Sequence, residues 1–535
     1  MAGSRQATSE DNYTGQLLAR LAARGARDTI VYGERRISGR EAHDLVLRYA
    51  GALIDLGVDQ DDGVALFSVN TPETLLLTLA VHFLGGRLVF VPPEPGNGEL
   101  GSFIERADVK LLIFDPAFTG RAAELARETQ VATCSLGPAD GVTDFLAGAS
   151  PLAELAPGDV APASSVVTLF YTGGTTGQPK LVPHGHGFYE RIVKAAGTHG
   201  SDAADPRLLA GTLLSHVSGH FATLMVLFAD YTVVLMPGET FDAGRTLRAL
   251  AAEKITDLVV VPPMLYELLD HPDCPEVGFP DLASIYYLGA PTAPARLLQA
   301  IEVFGPVMHQ VFGATETGLV TELWPEEHDP RRPHVLQSCG KPGNGIEIEL
   351  RDEHGVITEP GRIGELYIRS AMVTEGYWRD PERTRELKDG EWARSGDLGY
   401  RDDEGYFYLV DRSRDIIVTG RTSDNVYSRL LDDFLSTLPA IRQAAAVGVP
   451  DPVLSEAVHV FLVPQDGADL DPAALAEIRA AVVRELGELY RPQSFTITDR
   501  LPYTTVGKVD KKVLRTAFIL AREANSEASS VGSYA

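Results

Sequence analysis

The 535-residue chain reads as an α/β protein. The expectation is a large N-terminal domain of parallel-sheet αβ subdomains plus a small β subdomain, then a small mobile α+β C-terminal domain. Three observations carry it. Short β-branched runs alternate with Ala/Leu/Arg-rich helical stretches, as parallel strands covered by helices require. From about residue 340 the alternation gives way to short strands with polar turns. After Asp411 a compact set of strands surrounds one helix.

In order, REAHDLVLRYAGALIDLG (40–57) has the composition of a helix, and GVALFSV (63–69) reads as a buried parallel strand. The apolar stretch Leu75 to Val91 is broken by His82, Gly85, Gly86 and Arg87, so it reads as a buried helix running into the strand RLVFVPP (87–93) rather than a bilayer span. KLLIFDP (110–116) and DLVVVPP (257–263) read as further buried parallel strands. IEIELRDEHG, GELYIRS and GYFYLVDRSRD then supply the β subdomain. RQAAAVGV, AVHVFLV, a helix near 471–487 and QSFTITDRLP supply the last unit. The division expected is 11–410 for the N-terminal domain and 411–520 for a C-terminal lid, with residues 1–10 and 521–535 disordered because they are polar or small.

A formal net charge of −27 argues against nucleic-acid and anionic-membrane surfaces and leaves room for a local cationic pocket. Cys134, Cys274 and Cys339 are odd in number and far apart, which fits a reducing cytosol and no metal spacing. The first residues, MAGSRQATSEDNY, lack the apolar region of a signal peptide, so a cytoplasmic protein is expected.

One stretch buries almost nothing: YTGGTTGQPK (171–180), after the strand-like SSVVTLF (164–170). Glycines let backbone N–H groups approach an anion, threonines add donors, and Lys180 adds charge. It is not a Walker A loop, since no glycine precedes Lys180 and no Ser or Thr follows it.

With VFGATETG (311–318), GELYIRS, EGYWRDPERT (375–384), RSGDLGYRDDEGYFYLVDRSRD (394–415) and LPYTTVGKVDKKVLR (501–515), this loop resembles, in family order, the landmarks of adenylate-forming enzymes. That family includes acyl-CoA synthetases, aryl-acid adenylating enzymes, peptide-synthetase adenylation domains and firefly luciferase. The resemblance implies an ATP-dependent ligase that joins a carboxylate to the α-phosphate of ATP. It then passes the acyl group to a thiol, either CoA or the phosphopantetheine of a carrier protein, as a monomer or homodimer.

By match to those motifs, Thr172, Gly173, Gly174, Thr175, Thr176, Gly177 and Lys180 would cradle the phosphates. Gly289, Ala290, Pro291, Phe312 and Gly313 would adjoin the nucleotide, Phe312 standing where the family carries tyrosine. Glu316 would hold Mg²⁺ and Thr315 would donate to the α-phosphate. Asp397 would accept from the ribose hydroxyls, with Arg412 in support. Lys508 would bridge carboxylate and phosphate, and Arg414 would be the hinge about which the lid turns.

Three departures bear on substrate and acceptor. In LLSHVSGHF, Val217 follows His216 where salicylate-type relatives carry asparagine, which implies an aromatic or cinnamic-type acid without an ortho hydroxyl. His216, Val217, His220, Tyr286, Tyr287 and Leu288 are the expected pocket residues. GRTSDNVYS (420–428) carries two extra residues and one glycine fewer than the loop that lines the pantetheine channel in CoA-using relatives. That change keeps a non-thiol acceptor open, for example nitrite activated for diazotisation of an aromatic amine. His184 and His186, in LVPHGHG, have no assigned role. A non-catalytic homologue would have lost Lys508, Glu316 or Asp397, and all three are present.

Overall fold

A computed structural model describes residues 13–91, 97–147, 166–172, 180–198, 203–238, 240–274, 278–412, 415–419, 424–451, 453–504 and 508–531. The expected disorder of residues 1–10 lies outside the described residues.

Among these residues the strands form four sheets. The first runs, in spatial order, Ala132–Ser135, Val109–Phe114, Gly63–Phe67, Arg87–Phe90, Val166–Thr172 and Lys180–Gly185. Its neighbours are parallel until the last pair, which is antiparallel. Every residue of Gly63–Phe67 and Arg87–Phe90 is buried, as strands covered on both faces must be. The helix Pro72–Phe83 is apolar on all sides for the same reason, and Thr71 caps it by accepting from the Thr74 amide at 3.2 Å.

The second sheet has a parallel centre formed by Met308–Ala314, Ser284–Leu288, Asp257–Val260, Arg207–Ala210, Thr232–Leu235 and Asp28–Tyr32. Antiparallel strands close both ends. The third sheet is antiparallel and holds Glu347–Asp352, Gly364–Arg369, Trp392–Arg401 and Phe407–Arg412. The fourth belongs to the C-terminal unit, where Ile441–Asp451 and Ser455–Pro464 form its long hairpin. Helices Ser428–Leu435, Pro472–Leu486 and Lys511–Val531 accompany that sheet.

The strand and helix expectations hold for each run named above. The boundary drawn at 520 does not follow the secondary structure. The last helix continues to Val531 and crosses the position where a disordered tail was expected to begin. Its first turns carry apolar residues into the C-terminal core, with Leu514 buried and Phe518 packed beside it.

Candidate active site

The carboxyl ends of the parallel strands in both large sheets, the third sheet and the C-terminal unit meet around one cleft of about 2450 Å³. Ligands of open α/β sheets bind at such strand ends. Thr172 and Lys180 are the paired residues that close the antiparallel hairpin at the end of the first sheet. Gly173, Gly174, Thr175, Thr176 and Gly177, which lie between them, fall outside the described residues.

Thr315 and Glu316 sit in the tight connection between Met308–Ala314 and Gly318–Leu323, closed by the pair Ala314–Gly318. Gly318 has φ +67, and a Cβ there would stand 2.8 Å from Met372, so only glycine makes this turn without a shift. The segment after Met372 fastens the turn to the neighbouring sheet. The Thr374 amide donates to the Glu316 carbonyl at 2.9 Å, and the Thr374 hydroxyl donates to the Pro183 carbonyl at 2.8 Å.

Tyr377, unassigned from sequence although it lies in the landmark EGYWRDPERT, joins two expected site residues. Its hydroxyl donates to Glu316 Oε1 at 2.8 Å and accepts from Lys180 Nζ at 3.3 Å. The ammonium also stands 4.6 Å from the Tyr377 ring centroid, within cation–π range. Burial, reinforced by the Glu316 carboxylate, holds the phenol well above its ordinary pKa, so it stays a donor.

His184 acquires a position. Its Nε2 donates to the Thr315 backbone carbonyl at 2.8 Å, and burial lowers its pKa to about 4. The ring is therefore neutral, with the proton on Nε2, because a carbonyl can only accept. His186 is buried, and neither of its ring nitrogens has a hydrogen-bond partner among the described residues.

Asp397 and Arg412 face each other across paired strands, with Arg412 Nε 3.0 Å from Asp397 Oδ1. Asp397 Oδ2 is buried and has no hydrogen-bond partner among the described residues, an orphaned acceptor at the cleft wall. An unmet buried acceptor costs about 1–3 kcal/mol, and the paired hydroxyls of a ribose would relieve that cost. The Asp397 charge in turn raises the Arg412 pKa, keeping the guanidinium charged.

Lys508 lines the same cleft from the C-terminal unit. Its backbone carbonyl accepts from the Thr504 amide at 2.8 Å. Its charge reaches His216, whose pKa is lowered to about 4 by burial first and Lys508 second. His216 is the N-cap residue of the helix Val217–Phe228, which sends Val217, Phe221 and Met225 to the cleft at helical spacing.

Gly289, Ala290, Pro291, Phe312 and Gly313 all line the cleft. Two of the expected pocket residues do not. On Ser284–Leu288 the alternation sends Tyr286 and Leu288 to the cleft and Tyr287 to the opposite face, where its hydroxyl meets His328 Nε2 at 2.9 Å. His220 turns into the core, where Nε2 pairs with the Tyr189 hydroxyl at 3.0 Å and burial lowers its pKa to about 3. Arg414 lies outside the described residues, as do 420–423 of the altered loop.

Residues 18–378 match the model of the AMP-binding enzyme family, and residues 431–508 match that of its C-terminal domain. The chain is 34% identical over 528 residues to a medium/long-chain fatty acid–CoA ligase of Mycobacterium tuberculosis, covering 95% of this chain and 90% of that protein. It is 30% identical over 494 residues to a feruloyl-CoA synthase of Amycolatopsis, covering 91% and 95% of the two chains. Among solved structures it resembles the amide bond synthetase McbA of Marinactinospora thermotolerans, with 33% identity, a TM-score of 0.85, and 95% and 99% of the two chains covered.

Proposed function

The chain belongs to the AMP-binding family of adenylate-forming enzymes, ATP-dependent ligases that release AMP, and from that premise we propose that it activates an aromatic carboxylic acid and transfers the acyl group to a thiol. The observation that carries the reading is the convergence of Thr172, Lys180, Thr315, Glu316, Asp397, Arg412 and Lys508 on one cleft. Residues 11–410 would bind the nucleotide and 411–520 would supply the lid and its lysine.

The acid's carboxylate oxygen attacks the α-phosphorus, the bond to the bridging oxygen breaks, and pyrophosphate leaves. Two anions must approach each other, so donors and cations aimed at the transition state provide the acceleration. Lys508 would bridge the attacking carboxylate and the α-phosphate, and Thr315, positioned by His184 through its carbonyl, would donate to the same phosphate. Lys180 would meet the departing phosphates. Glu316 would offer the single carboxylate that Mg²⁺ takes when phosphate oxygens and water complete its shell. Asp397 would receive the ribose hydroxyls on its unpartnered oxygen. In the second half-reaction the thiol sulfur attacks the acyl carbon and AMP leaves.

Val217, Phe221, Met225, Tyr286 and Leu288 supply the apolar and aromatic wall for the acid, and the likeness to a feruloyl-CoA synthase points the same way. ATP–pyrophosphate exchange over a panel of aromatic and alkanoic acids tests the first half-reaction, and silence with every acid rejects it.

A second reading keeps the adenylate and replaces the thiol by a nitrogen nucleophile. It is favoured by the extra residues at 420–428, and by 33% identity to a protein described as an amide bond synthetase. Mass spectrometry of parallel reactions supplied with CoA, with amines, and with nitrite plus an aminoaryl acid separates the readings by product.

A further inference from the structure

We infer that His309 and Glu322 form a polar end to the acid pocket that selects an aromatic acid bearing a hydroxyl group remote from its carboxylate. This rests on the aromatic-acid reading above. His309 is 2% exposed, and its ring lies against Tyr286 and Trp324 with centroids 4.7 and 4.5 Å away. Its Nε2 has no hydrogen-bond partner among the described residues. The Glu322 carboxylate comes to 3.4 Å without making the bond. All four side chains line the cleft.

Strand register fixes where this pair sits. His309 pairs with Tyr286, and Glu322 pairs with Val311 on the next strand. His309 and Val311 share a face because strand side chains alternate. His309 precedes Ala314, where the turn that carries Thr315 and Glu316 begins, by five residues, so it lies roughly 16 Å along the strand from that turn. In the proposed pose, an aromatic ring whose carboxylate is held at Lys508 points its far edge toward His309.

A hydroxyl is the group that satisfies both partners, since it accepts from an imidazole N–H and donates to a carboxylate. A bare ring would bury Nε2 and the carboxylate oxygen with neither paired. Sites built to hydrogen-bond a substrate hydroxyl reject the analogue that lacks it far more strongly than apolar pockets reject a missing methylene.

The test is ATP–pyrophosphate exchange by the full chain with matched acids: cinnamate, 4-hydroxycinnamate and 4-aminocinnamate, the corresponding phenylpropionates, and hexanoate to octanoate. A preference in kcat/KM for the hydroxylated member of about 100-fold or more is expected. In Glu322→Gln and His309→Leu that preference should fall to within about fivefold, the loss coming from the hydroxylated acid. Equal or better exchange with unsubstituted or alkanoic acids overturns the inference and leaves adenylation standing, as does a preference that both variants keep. A preference for the amino acid partner over the hydroxyl one overturns the assigned group. Absence of exchange with every acid overturns the function as well.

Discussion

Lys511 and Asp432 are joined by an ion pair, with Nζ 2.7 Å from Oδ2, between the first turn of the helix Lys511–Val531 and the helix Ser428–Leu435. The same Nζ donates to the Ser428 hydroxyl at 2.7 Å, and that hydroxyl donates to Asp411 Oδ2 at 2.9 Å. The loop that presents Lys508 is thus tied, three residues on, to the strand that carries Arg412. Burial pushes the Asp432 carboxyl up to about 7 even beside this cation. Lys511→Met should destabilise the C-terminal unit by about 3 kcal/mol, because it leaves the enclosed Asp432 carboxylate without its charge partner. Adding Asp432→Leu should restore much of that loss, as denaturant midpoints of the two single variants and the double variant would show.

Lys508→Ala should lower ATP–pyrophosphate exchange by about 10²–10³-fold, the range seen when one donor to a developing anion is removed. The melting temperature should stay near that of the parent, since this side chain lines the cleft rather than the core. Retained exchange would remove the lysine from the reaction.

Asp397→Asn keeps an oxygen for Arg412 and halves the acceptor capacity offered to a ribose. Loss of a hydrogen bond to a charged group costs about 1.5–3 kcal/mol, so KM for ATP should rise about 10- to 100-fold. Calorimetric titration of ATP gives the same quantity directly.

Tyr377→Phe deletes the hydroxyl that links Lys180 to Glu316 while leaving the ring beneath the ammonium. The expected change is a drop in exchange of about tenfold, equivalent to about 1.4 kcal/mol. It should be partly masked at high magnesium if Glu316 binds the ion.

His184 and His220 are held neutral in the fold, at about 4 and about 3. Their unfolded value is near 6.5, so the native state binds fewer protons than the unfolded chain between these limits. Their contribution is complete above pH 6.5 and is lost as pH falls toward 4. At pH 5.5 each should subtract about 1.4 kcal/mol from unfolding free energy relative to pH 7.5. Guanidinium titrations at the two values read these contributions together with those of the other buried neutral histidines such as His216, and His184→Gln should flatten the slope.

Much of this architecture was legible from apolar runs: GVALF and RLVF are short, largely apolar and carry a β-branched valine, as strands covered on both sides do. Within the site, a charged group inside a landmark could be picked out in advance: Asp397 lies on the cleft wall, paired with Arg412. Orientation was not. Tyr286 and Tyr287 look alike in a string, and only the pairing of Ser284–Leu288 with its neighbours decides which one faces the cleft. Lys511 reads as one of three solvated lysines until the helix Ser428–Leu435 closes over it. Tyr377 and His184 act through bonds to residues 61 and 131 positions away, a separation no local pattern encodes.

Consecutive residues of one strand face two different bodies. Arg412 reaches back to Asp397 in the large lobe, while Asp411 receives Ser428 and the Arg429 amide from the small one. If the unit that carries Ser428 turned about the chain beyond Arg412, the bonds to Asp411 would have to break while the Arg412–Asp397 pair could persist. The threshold for such a turn would then be set by the Asp411 carboxylate, which is bonded to Ser428 and Arg429, one strand position from the Asp397 oxygen proposed to take the ribose.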